Sequence, residues 1–381
     1  MTNVFVASDN IITSLGFTTV ANIRNIKANK TGILPWTDTS LAPSPFWASR
    51  VDDQELDKQF SDFGPPADHT RFEKLVITSA KEALRNTSID PGDDRTLFIL
   101  STTKGNIDLL DPVLNRFGDN NRIYLWHTAG LLQRFFGLAR RPVVISNACI
   151  SGLLAIITGT RLIRSGRFDH VIVTGADLVT EFVLSGFNSF LSLSNGPCRP
   201  FDRDRQGLSL GEGAGTIVLT ADRSQAGQSP AIRIGTGFSS NDANHISGPS
   251  RTGEGLYQAI LKTLDANGLS VDYISSHGTA TPYNDEMEAI AISRAGLSEV
   301  PVNSLKGYWG HTLGAAGVIE TIAGICSLSE NLLFGTLGFS EPGTSQTIAV
   351  IQHMREARLQ TCLKIASGFG GCNAALLISK E

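Results

Sequence analysis

The sequence predicts an α/β protein made of two related halves. Apolar runs typical of buried strands alternate with segments of helical spacing in both halves of the 381-residue chain, and this alternation indicates βαβ units with mainly parallel sheets. The polar stretch 222–230, DRSQAGQSP, separates the two series of elements. We therefore expect an N-terminal half over 1–221 and a C-terminal half over 231–381.

The N-terminal half begins with a short predicted strand over 4–7 and a helical segment over 17–28. Residues 32–68 are rich in proline and aromatic residues without periodicity, so we expect a loop-rich excursion there. Apolar periodicity predicts the later elements: a helix over 71–86, a strand over 96–101, a helix over 125–136, a buried strand over 143–145 that leads into a helix near Cys149, a strand over 171–175 and a strand that ends at Leu219.

The C-terminal half partly repeats this order of strands and helices. Its predicted elements are a strand over 231–238, a helix over 253–267, a strand over 271–276, a small-residue helix from about Thr312, a strand over 348–351 and a closing strand over 374–378. Two similar α/β halves are the simplest account of this repetition.

Composition narrows the class of protein. The formal net charge of -4 argues against a surface that binds nucleic acid. Neither a secretory signal nor a membrane-spanning apolar run is evident, so we expect a cytoplasmic protein without a membrane segment. The five cysteines form neither a disulfide framework nor a paired CxxC signature, so we expect no structural metal.

One cysteine lies at the junction between a predicted strand and the predicted helix that follows it. The stretch 142–157, PVVISNACISGLLAII, places Cys149 at this junction. Backbone N–H groups and the positive end of the helix dipole collect there, so we expect them to favour the thiolate and make Cys149 a nucleophile. The alternative is a buried cysteine that acts as a small apolar residue.

Three further stretches place polar groups at strand ends. His277 opens HGTATPYND, Lys306 and His311 lie in NSLKGYWGHTLGAAGVIE, and the glycine loop GFGGCNAALLI begins at Gly368. Ligands of open α/β sheets bind at such strand ends, and loop N–H groups stabilise anionic oxygens. With Cys149 these groups suit acyl transfer through a covalent thioester. The alternatives are a structural histidine and an exposed lysine.

The surroundings of Lys306 indicate burial, because apolar and small residues flank it on both sides. A buried ammonium needs an anionic partner. The candidates are Asp285, Glu288 and Glu320, and an exposed position on a helix is the alternative for Glu320.

These stretches together resemble the β-ketoacyl-acyl carrier protein synthases, condensing enzymes of the thiolase superfamily. The similarity covers most of the chain and includes NACISG, RPFDRDRQGLSLGEGAG over 199–215, HGTATPYND, KGYWGHTLGAAGVIE and GFGGCNAAL. It implies a thiolase-like fold, in which two similar βαβ halves form a five-layer αβαβα sandwich. It also implies a homodimer, or a heterodimer with a related subunit.

The resemblance implies decarboxylative Claisen condensation of an acyl thioester with malonyl-acyl carrier protein, in fatty-acid, polyketide or polyene biosynthesis. The implied partner is acyl carrier protein, whose phosphopantetheine carries the substrates, and no further cofactor is implied. The resemblance implies that Cys149 is the nucleophile, that His277 and His311 are the catalytic pair, and that Lys306 is the supporting cation. The implied substrate-binding residues are Thr279 and Thr281, which contact the pantetheine arm, Phe369, which gates the pocket, and Gly370. The N–H groups of Cys149 and Phe369 would form the oxyanion hole, and Glu288 and Glu320 would be supporting acids.

Several positions depart from the family pattern. Tyr308 and Trp309 stand where smaller residues are common, and Ser367 stands where housekeeping members have phenylalanine. These differences indicate a specialised acyl substrate. Large aromatic side chains set the length of a cavity firmly, so we expect bulky residues to shape the acyl pocket and a homodimer interface to complete it. The residues expected there are Tyr308, Trp309, Phe135, Phe136, Phe187 and Phe190.

Three other functions stay open on the sequence. A chain-length-setting subunit lacks the nucleophilic cysteine that is present here. A non-decarboxylating, thiolase-type acyltransferase uses a second cysteine as base, whereas we expect Cys372 to be a packing residue. A binding scaffold without turnover is the third. For a condensing enzyme, the weak candidates for docking an acidic carrier protein are Arg71, Arg161, Arg164, Arg203 and Arg205.

Overall fold

The computed structural model describes residues 2–227 and 230–381. In these residues the strands are β1 (Phe5–Ile12), β2 (Ile33–Trp36), β3 (Phe46–Ser49), β4 (Thr96–Ser101), β5 (Val143–Ile145), β6 (His170–Asp177), β7 (Leu210–Gly211), β8 (Gly213–Thr220), β9 (Ile232–Asn241), β10 (Tyr273–Ser275), β11 (Val302–Asn303), β12 (Leu332–Leu333), β13 (Arg355–Glu356), β14 (Thr361–Gly368) and β15 (Cys372–Lys380).

The α-helices of the described residues are α1 (Thr19–Lys27), α2 (Asp53–Phe60), α3 (Arg71–Leu84), α4 (Leu125–Phe136), α5 (Ser151–Arg164), α6 (Glu181–Ser189), α7 (Glu254–Asn267), α8 (Pro282–Arg294), α9 (Lys306–Trp309) and α10 (Ala316–Glu330). Residues 228 and 229 of the predicted linker lie outside the described part of the chain.

The strand order repeats between the two parts of the chain. One set of strands runs β5-β4-β6-β8-β1 and the other runs β11-β10-β14-β15-β9. Taken in chain order within each set, both are arranged third, second, fourth, fifth, first. In each set the three strands at one end are parallel, and the remaining two are antiparallel to their neighbours. The sets are joined where Phe5 of β1 pairs with Arg233 of β9.

Helices fill the space between the two sets and cover their outer faces. The central helices α5 and α10 contact each other and strands of both sets, whereas α3 covers β1, β8 and β6 and α7 covers β9 and β15. The largest cluster of buried apolar residues lies around the central helices. The result is helix, sheet, helix, sheet, helix, which confirms the expected five-layer α/β sandwich.

The central helices approach each other backbone to backbone at their first turns. A Cβ added at Gly317 would lie 2.2 Å from the backbone nitrogen of Leu153, and one added at Gly152 would lie 2.8 Å from that of Val318. Only glycine permits such an approach. The N-terminal ends of α5 and α10 are therefore held side by side.

Several predicted elements have their expected bounds, among them β4 and α4. The loop-rich excursion expected over 32–68 is wrong in part, because β2, β3 and α2 lie within it. The strand predicted over 348–351 is reduced to a bridge between Val350 and Val302, and β14, which was not predicted, pairs with the closing strand instead.

The strand at 143–145 is present, but the prediction that it is buried is wrong. Val143 is 40% exposed because β5 lies at the free edge of its set. A different segment, Leu313–Glu330, is long and apolar enough to cross a membrane by length and composition. Since 83% of it is buried inside the protein, it serves as a core helix.

Candidate active site

Cys149 lies two residues before α5, at the end of a strained turn. Ala148 has a φ of 44°, in the left-handed region that a β-carbon disfavours. The hydroxyl of Ser151 accepts the N–H of Asn147 at 2.7 Å and donates to the carbonyl of Ala148 at 2.6 Å. These bonds fix the turn, which places Cys149 on the wall of a cavity of about 100 Å³.

Two histidines face this cysteine. The sulfur of Cys149 and one ring nitrogen from each of His277 and His311 all lie within 4.8 Å of one another. The two imidazole centroids are 5.0 Å apart and the rings are nearly perpendicular, at 86°. His277 follows β10, and the predicted meeting of a cysteine and two histidines is confirmed. The strand end predicted for His311 is wrong, because His311 follows the short helix α9.

The backbone of His311 is fixed by hydrogen bonds, whereas its ring receives none from the described residues. Its N–H donates to the carbonyl of Ser209 at 2.8 Å, and its carbonyl accepts the N–H of Gly211 at 3.0 Å. Within residues 2–227 and 230–381, neither ring nitrogen of His311 has a partner, although the side chain is buried. A buried polar group without partners costs stability. Because neither nitrogen is engaged, the ring of His311 is available to hydrogen-bond a substrate.

Lys306 is fully buried and contacts His277. Its Nζ lies 2.5 Å from Glu320 Oε1 and 3.3 Å from His277 Nδ1, and it also donates to the carbonyl of His277. The other oxygen of Glu320 pairs with Lys364 at 2.7 Å. Of the three predicted acidic partners, Glu320 is the one that binds Lys306, and it is buried rather than exposed. Lys364 was missed.

The acids Glu288 and Asp285 support the backbone of the His277 loop. Glu288 accepts the N–H groups of His277 and Gly278 at 2.7 and 2.6 Å, and Asp285 accepts the N–H of Thr279 at 2.8 Å. Burial raises the pKa of Glu288 to about 7, and the neighbouring Asp285 adds to this rise. Glu288 therefore contacts the backbone of the His277 loop, and its role as a supporting acid stays a prediction.

Burial controls the ionisation of the catalytic candidates. It lowers the pKa of His277 and of His311 well below 6.5, and Lys306 lowers both further. Both imidazoles are therefore neutral near pH 7. Burial also raises the pKa of Cys149 to about 12, with a further rise from Cys372 and smaller opposing effects of Lys306 and the Phe369 amide. The expectation of a resident thiolate is wrong here, because desolvation outweighs the favourable backbone groups.

The cavity contains several of the predicted substrate-binding residues. Thr279, Thr281 and Phe369 line it, and the two threonine hydroxyls are 2.9 Å apart. Gly370 does not line it, since its N–H donates to the carbonyl of Ile246 at 2.7 Å. The other lining residues are Cys149, Phe187, Ser192, Leu208, Asp242, Ser247, Pro249, His277, Tyr283, Asn284, Met287, His311, Ser367, Gly368 and Asn373.

Two of the six aromatic residues expected around the pocket lie there. Phe187 and Phe190 of the α6 region contact the ring of Phe369, with centroids 5.5 and 5.2 Å apart. The other four do not line the cavity formed by this one chain. Phe135 and Phe136, the last residues of α4, pack in the core shared with α3, and Tyr308 and Trp309 are buried in the main core.

Two further predictions concern polar side chains. Arg71 is a poor candidate for docking a carrier protein, because its guanidinium is engaged by the buried Glu212 at 2.5 Å. Cys372 is buried, and its thiol donates to the carbonyl of Phe369 at 3.0 Å. This position fits the packing role predicted for Cys372.

Comparison with known proteins gives consistent matches over the whole chain. Residues 1–225 match the family description "Beta-ketoacyl synthase, N-terminal domain", and residues 231–340 match "Beta-ketoacyl synthase, C-terminal domain". A "Putative 3-oxoacyl-[acyl-carrier-protein] synthase, mitochondrial" of Schizosaccharomyces pombe is 30% identical, over 100% of this chain and 99% of that protein. The "Tetracenomycin polyketide synthase ketoacyl synthase alpha subunit" of Streptomyces glaucescens is 31% identical, over 82% of each.

A solved structure has the same fold along the full chain. It is described as "The ishigamide ketosynthase/chain length factor", and it is 26% identical with a TM-score of 0.89. The match covers 100% of this chain and 99% of that one.

Proposed function

The chain belongs to the β-ketoacyl synthase family, and from this premise we propose the roles of its residues in a decarboxylative condensation. The reaction joins an acyl group to a malonyl unit on a carrier protein and releases CO₂. The observation that carries the proposal is the meeting of Cys149, His277 and His311 within 4.8 Å on the wall of one cavity. A chain-length-setting subunit would lack the cysteine, and a thiolase-type enzyme would lack one of the two histidines.

The first step transfers the acyl group to Cys149. Because the thiol is protonated in the free protein, a neutral imidazole of His277 or His311 accepts its proton as sulfur attacks the thioester carbon. The N–H groups of Cys149 and Phe369 hold the tetrahedral oxyanion, each lowering the barrier by about 3 kcal/mol. The carrier thiolate then leaves with the proton, and an acyl-cysteine remains.

The second step forms the carbon–carbon bond. Malonyl carrier protein loses CO₂, and the electron pair of the broken bond becomes an enolate on the thioester. Each neutral imidazole has one N–H group, so His277 and His311 together donate two hydrogen bonds to the enolate oxygen. The enolate carbon attacks the acyl-cysteine and expels the thiolate of Cys149, which gives a 3-oxoacyl carrier two carbons longer.

The mouth of the cavity suits a phosphopantetheine arm. Thr279 and Thr281 present adjacent hydroxyls to its amide groups, as proposed from the family resemblance. Phe369 packs between Phe187 and Phe190 above Cys149, so we assign it the role of gate. Gly370 has a φ of 82°, a backbone conformation that favours glycine. We propose that it allows the chain to turn beside Phe369 and does not itself contact the substrate.

We further infer that the chain works as a dimer. The edge strand β5 leaves Val143 40% exposed, and Trp126 and Leu191 are 54% and 90% exposed. An unpaired apolar edge is a ready site for strand pairing with a second subunit. A homodimer is the simpler assembly. The relative described as a ketosynthase/chain length factor favours a heterodimer with a related subunit as the alternative.

Two further proposals concern the division of the chain and the setting in which the enzyme acts. We propose that residues 1–221 and 231–381 are the two structural halves, which the repeated strand order supports. We also propose that the enzyme acts in the cytoplasm on substrates carried by acyl carrier protein, in fatty-acid, polyketide or polyene biosynthesis.

Separate assays of the two half-reactions test this function. After incubation with an acyl carrier protein, peptide mapping should place the acyl mass on Cys149, and an adduct on Cys372 would overturn the assignment. His277→Ala and His311→Ala should keep much of this acylation and lose about 100-fold or more of malonyl decarboxylation. Equal loss of both steps would mean that the histidines serve mainly to deprotonate the thiol.

A further inference from the structure

Lys364 lies in the middle of β14, on the face that packs against the central helices. Its neighbours on that face, Cys362 and Ala366, belong to the main apolar core, whereas Leu363 and Ile365 face the opposite core. Lys364 is fully buried. A charged side chain at such a position is costly unless its surroundings compensate for lost water, so its presence calls for a specific role.

The compensation comes from three oxygen atoms. Lys364 Nζ donates to Glu320 Oε2 at 2.7 Å and to the carbonyls of Ser276 and Ser275 at 3.0 and 3.2 Å. Glu320 is already paired with Lys306 through its other oxygen at 2.5 Å. Two ammonium groups thus share one carboxylate, so the group of Lys306, Lys364 and Glu320 carries one more positive than negative charge. Glu288 also faces this group, and its pKa is raised to about 7 by burial and by Asp285.

This excess charge is adjacent to a catalytic candidate. Ser275 and Ser276 directly precede His277 in the chain, and Lys306 Nζ lies 3.3 Å from the ring of His277. Lys364 itself touches backbone and carboxylate oxygens and reaches the cavity only through its partners. Any influence of Lys364 on the reaction is therefore electrostatic and positional.

We propose that Lys364 is a positioning residue of the condensation, which gives the Lys306–Glu320 pair a surplus positive charge behind His277. That charge opposes protonation of the imidazoles and stabilises the negative charge that forms on Cys149 and on the enolate. The proposal rests on the proposed function. It is supported by the lowered pKa of His277, for which burial is the first cause and Lys306, His311 and Lys364 follow.

The titratable groups around this cluster come from several elements. Burial lowers the pKa of Lys364 itself, and Glu320 opposes that effect. The groups that face the cluster from the packed elements are Lys306, Glu320, Glu288, Asp285, His311, Cys149, Cys362 and Tyr273.

A charge-balance experiment tests the proposal. Lys364→Met removes one positive charge, Glu320→Gln removes the negative charge, and the double variant restores the wild-type sum. The quantity to measure is the pH dependence of malonyl carrier protein decarboxylation. The apparent pKa of its acid limb should rise by about one unit in Lys364→Met, because a nearby cation no longer opposes histidine protonation. This pKa should fall in Glu320→Gln and return close to the wild-type value in the double variant.

The matched control is Lys380→Met on β15, which removes a lysine that donates to the carbonyl of Leu328 at the far end of α10. Its pH profile should stay at the wild-type position. A residue that only fills space would make the double variant worse than either single variant at every pH. That result, or an unmoved profile in folded Lys364→Met, would overturn the proposal.

A second readout keeps this proposal separate from the proposed function. The rate of Cys149 alkylation by iodoacetamide needs no carrier protein, and its pH dependence should move in the same directions in the three variants. If the wild-type protein fails to decarboxylate malonyl carrier protein, the proposed function fails, while the alkylation profiles still decide the role of Lys364. Should Lys364→Met not fold, Glu320→Gln and the double variant carry the comparison.

Discussion

At the scale of single residues, His311 combines a buried position with unpaired ring nitrogens. No described residue hydrogen-bonds to either ring nitrogen, and burial together with Lys306 and Lys364 lowers the pKa of the imidazole. Such a side chain adds little to folding, because its ring nitrogens gain no hydrogen bond from the described residues. Residues kept for function at the expense of stability have this character.

We predict that His311→Leu separates stability from activity. The free energy of unfolding should stay the same or rise by about 1 kcal/mol, since an unpaired polar group is replaced by an apolar one. Condensation should fall by about 100-fold or more. Urea unfolding and a product assay check this, with the exposed His353→Leu as control. A loss of several kcal/mol in His311→Leu would show that the imidazole is structural.

The same residue gives a prediction for pH dependence. An unfolded histidine has a pKa near 6.5, and in the folded protein the pKa of His311 is well below that value. The unfolded state therefore binds more protons below about pH 6.5, and stability falls as the pH is lowered. At pH 5.5 this costs up to about 1.4 kcal/mol for one histidine. Urea unfolding at pH 5.5 and 7.5 should show a smaller difference for His311→Leu than for wild type.

The sequence patterns predicted the positions of the reacting residues better than they predicted their protonation states. Cys149 and His277 follow apolar strands, and such junctions are recognisable from local periodicity. The high pKa of the Cys149 thiol depends on burial by segments far away in the chain, which local spacing does not contain. Lys364 was missed for a related reason. In TCLKIASG it has the spacing of an exposed lysine, and only the position of α10 shows that its face is buried.

At the scale of elements, the position of the Phe369 ring depends on contacts between the α6 region and the loop after β14. The ring of Phe369 lies between Phe187 and Phe190, and α6 was not predicted from the sequence. Because Phe187 of α6 and Phe190 just after it contact the Phe369 ring, the size of the cavity depends on the position of α6. Trp309, in contrast, is fully buried in the main core and does not line the cavity.

We predict different outcomes for these aromatic residues. Phe187→Ala should shift the distribution of product lengths while short primers still acylate Cys149 at a near wild-type rate, because it widens the cavity without touching the reacting atoms. Trp309→Ala should lower the free energy of unfolding by about 3–5 kcal/mol and reduce activity for all chain lengths alike. Mass spectrometry of products and urea unfolding measure the two effects. An unchanged product distribution from folded, active Phe187→Ala would contradict this view of α6.

The elements predicted best are those whose signals are local. α3 has an apolar helical face, and a capping box between Thr70 and Glu73 fixes its start. β2 and β3 lack such signals, since they are short and their ladder is completed by β7 from much later in the chain. Pairing of this kind depends on the tertiary fold, so the sequence of 32–68 alone indicated a loop.

At the scale of the whole molecule, the two related halves explain how distant motifs meet. Each half contributes one central helix, and Cys149 and His311 lie just before α5 and α10. The alternation of strands and helices predicted two halves. The close contact of Gly152 and Gly317, which brings both helix starts to one cavity, depends on three-dimensional packing that the alternation does not specify.

This contact leads to a prediction about the molecule as a whole. In Gly317→Ala the new methyl group would lie 2.2 Å from the backbone nitrogen of Leu153, so α5 and α10 must move apart. Overpacking of this kind costs about 3 kcal/mol, and a displacement of about 1 Å at the reacting groups costs about 100-fold in rate. Both acylation and condensation should fall, because the sulfur and the imidazole of His311 separate.

The matched control is Gly130→Ala in α4, where the nearest atom to the added methyl is Arg134 Nη1 at 3.6 Å. This variant should gain about 0.5–1 kcal/mol, since alanine loses less backbone entropy in a helix than glycine, and should keep wild-type activity. Thermal unfolding and the two half-reaction assays compare the pair. Wild-type activity in a folded Gly317→Ala protein would mean that the site tolerates separation of the central helices, and that the glycine contact does not set the distance between Cys149 and His311.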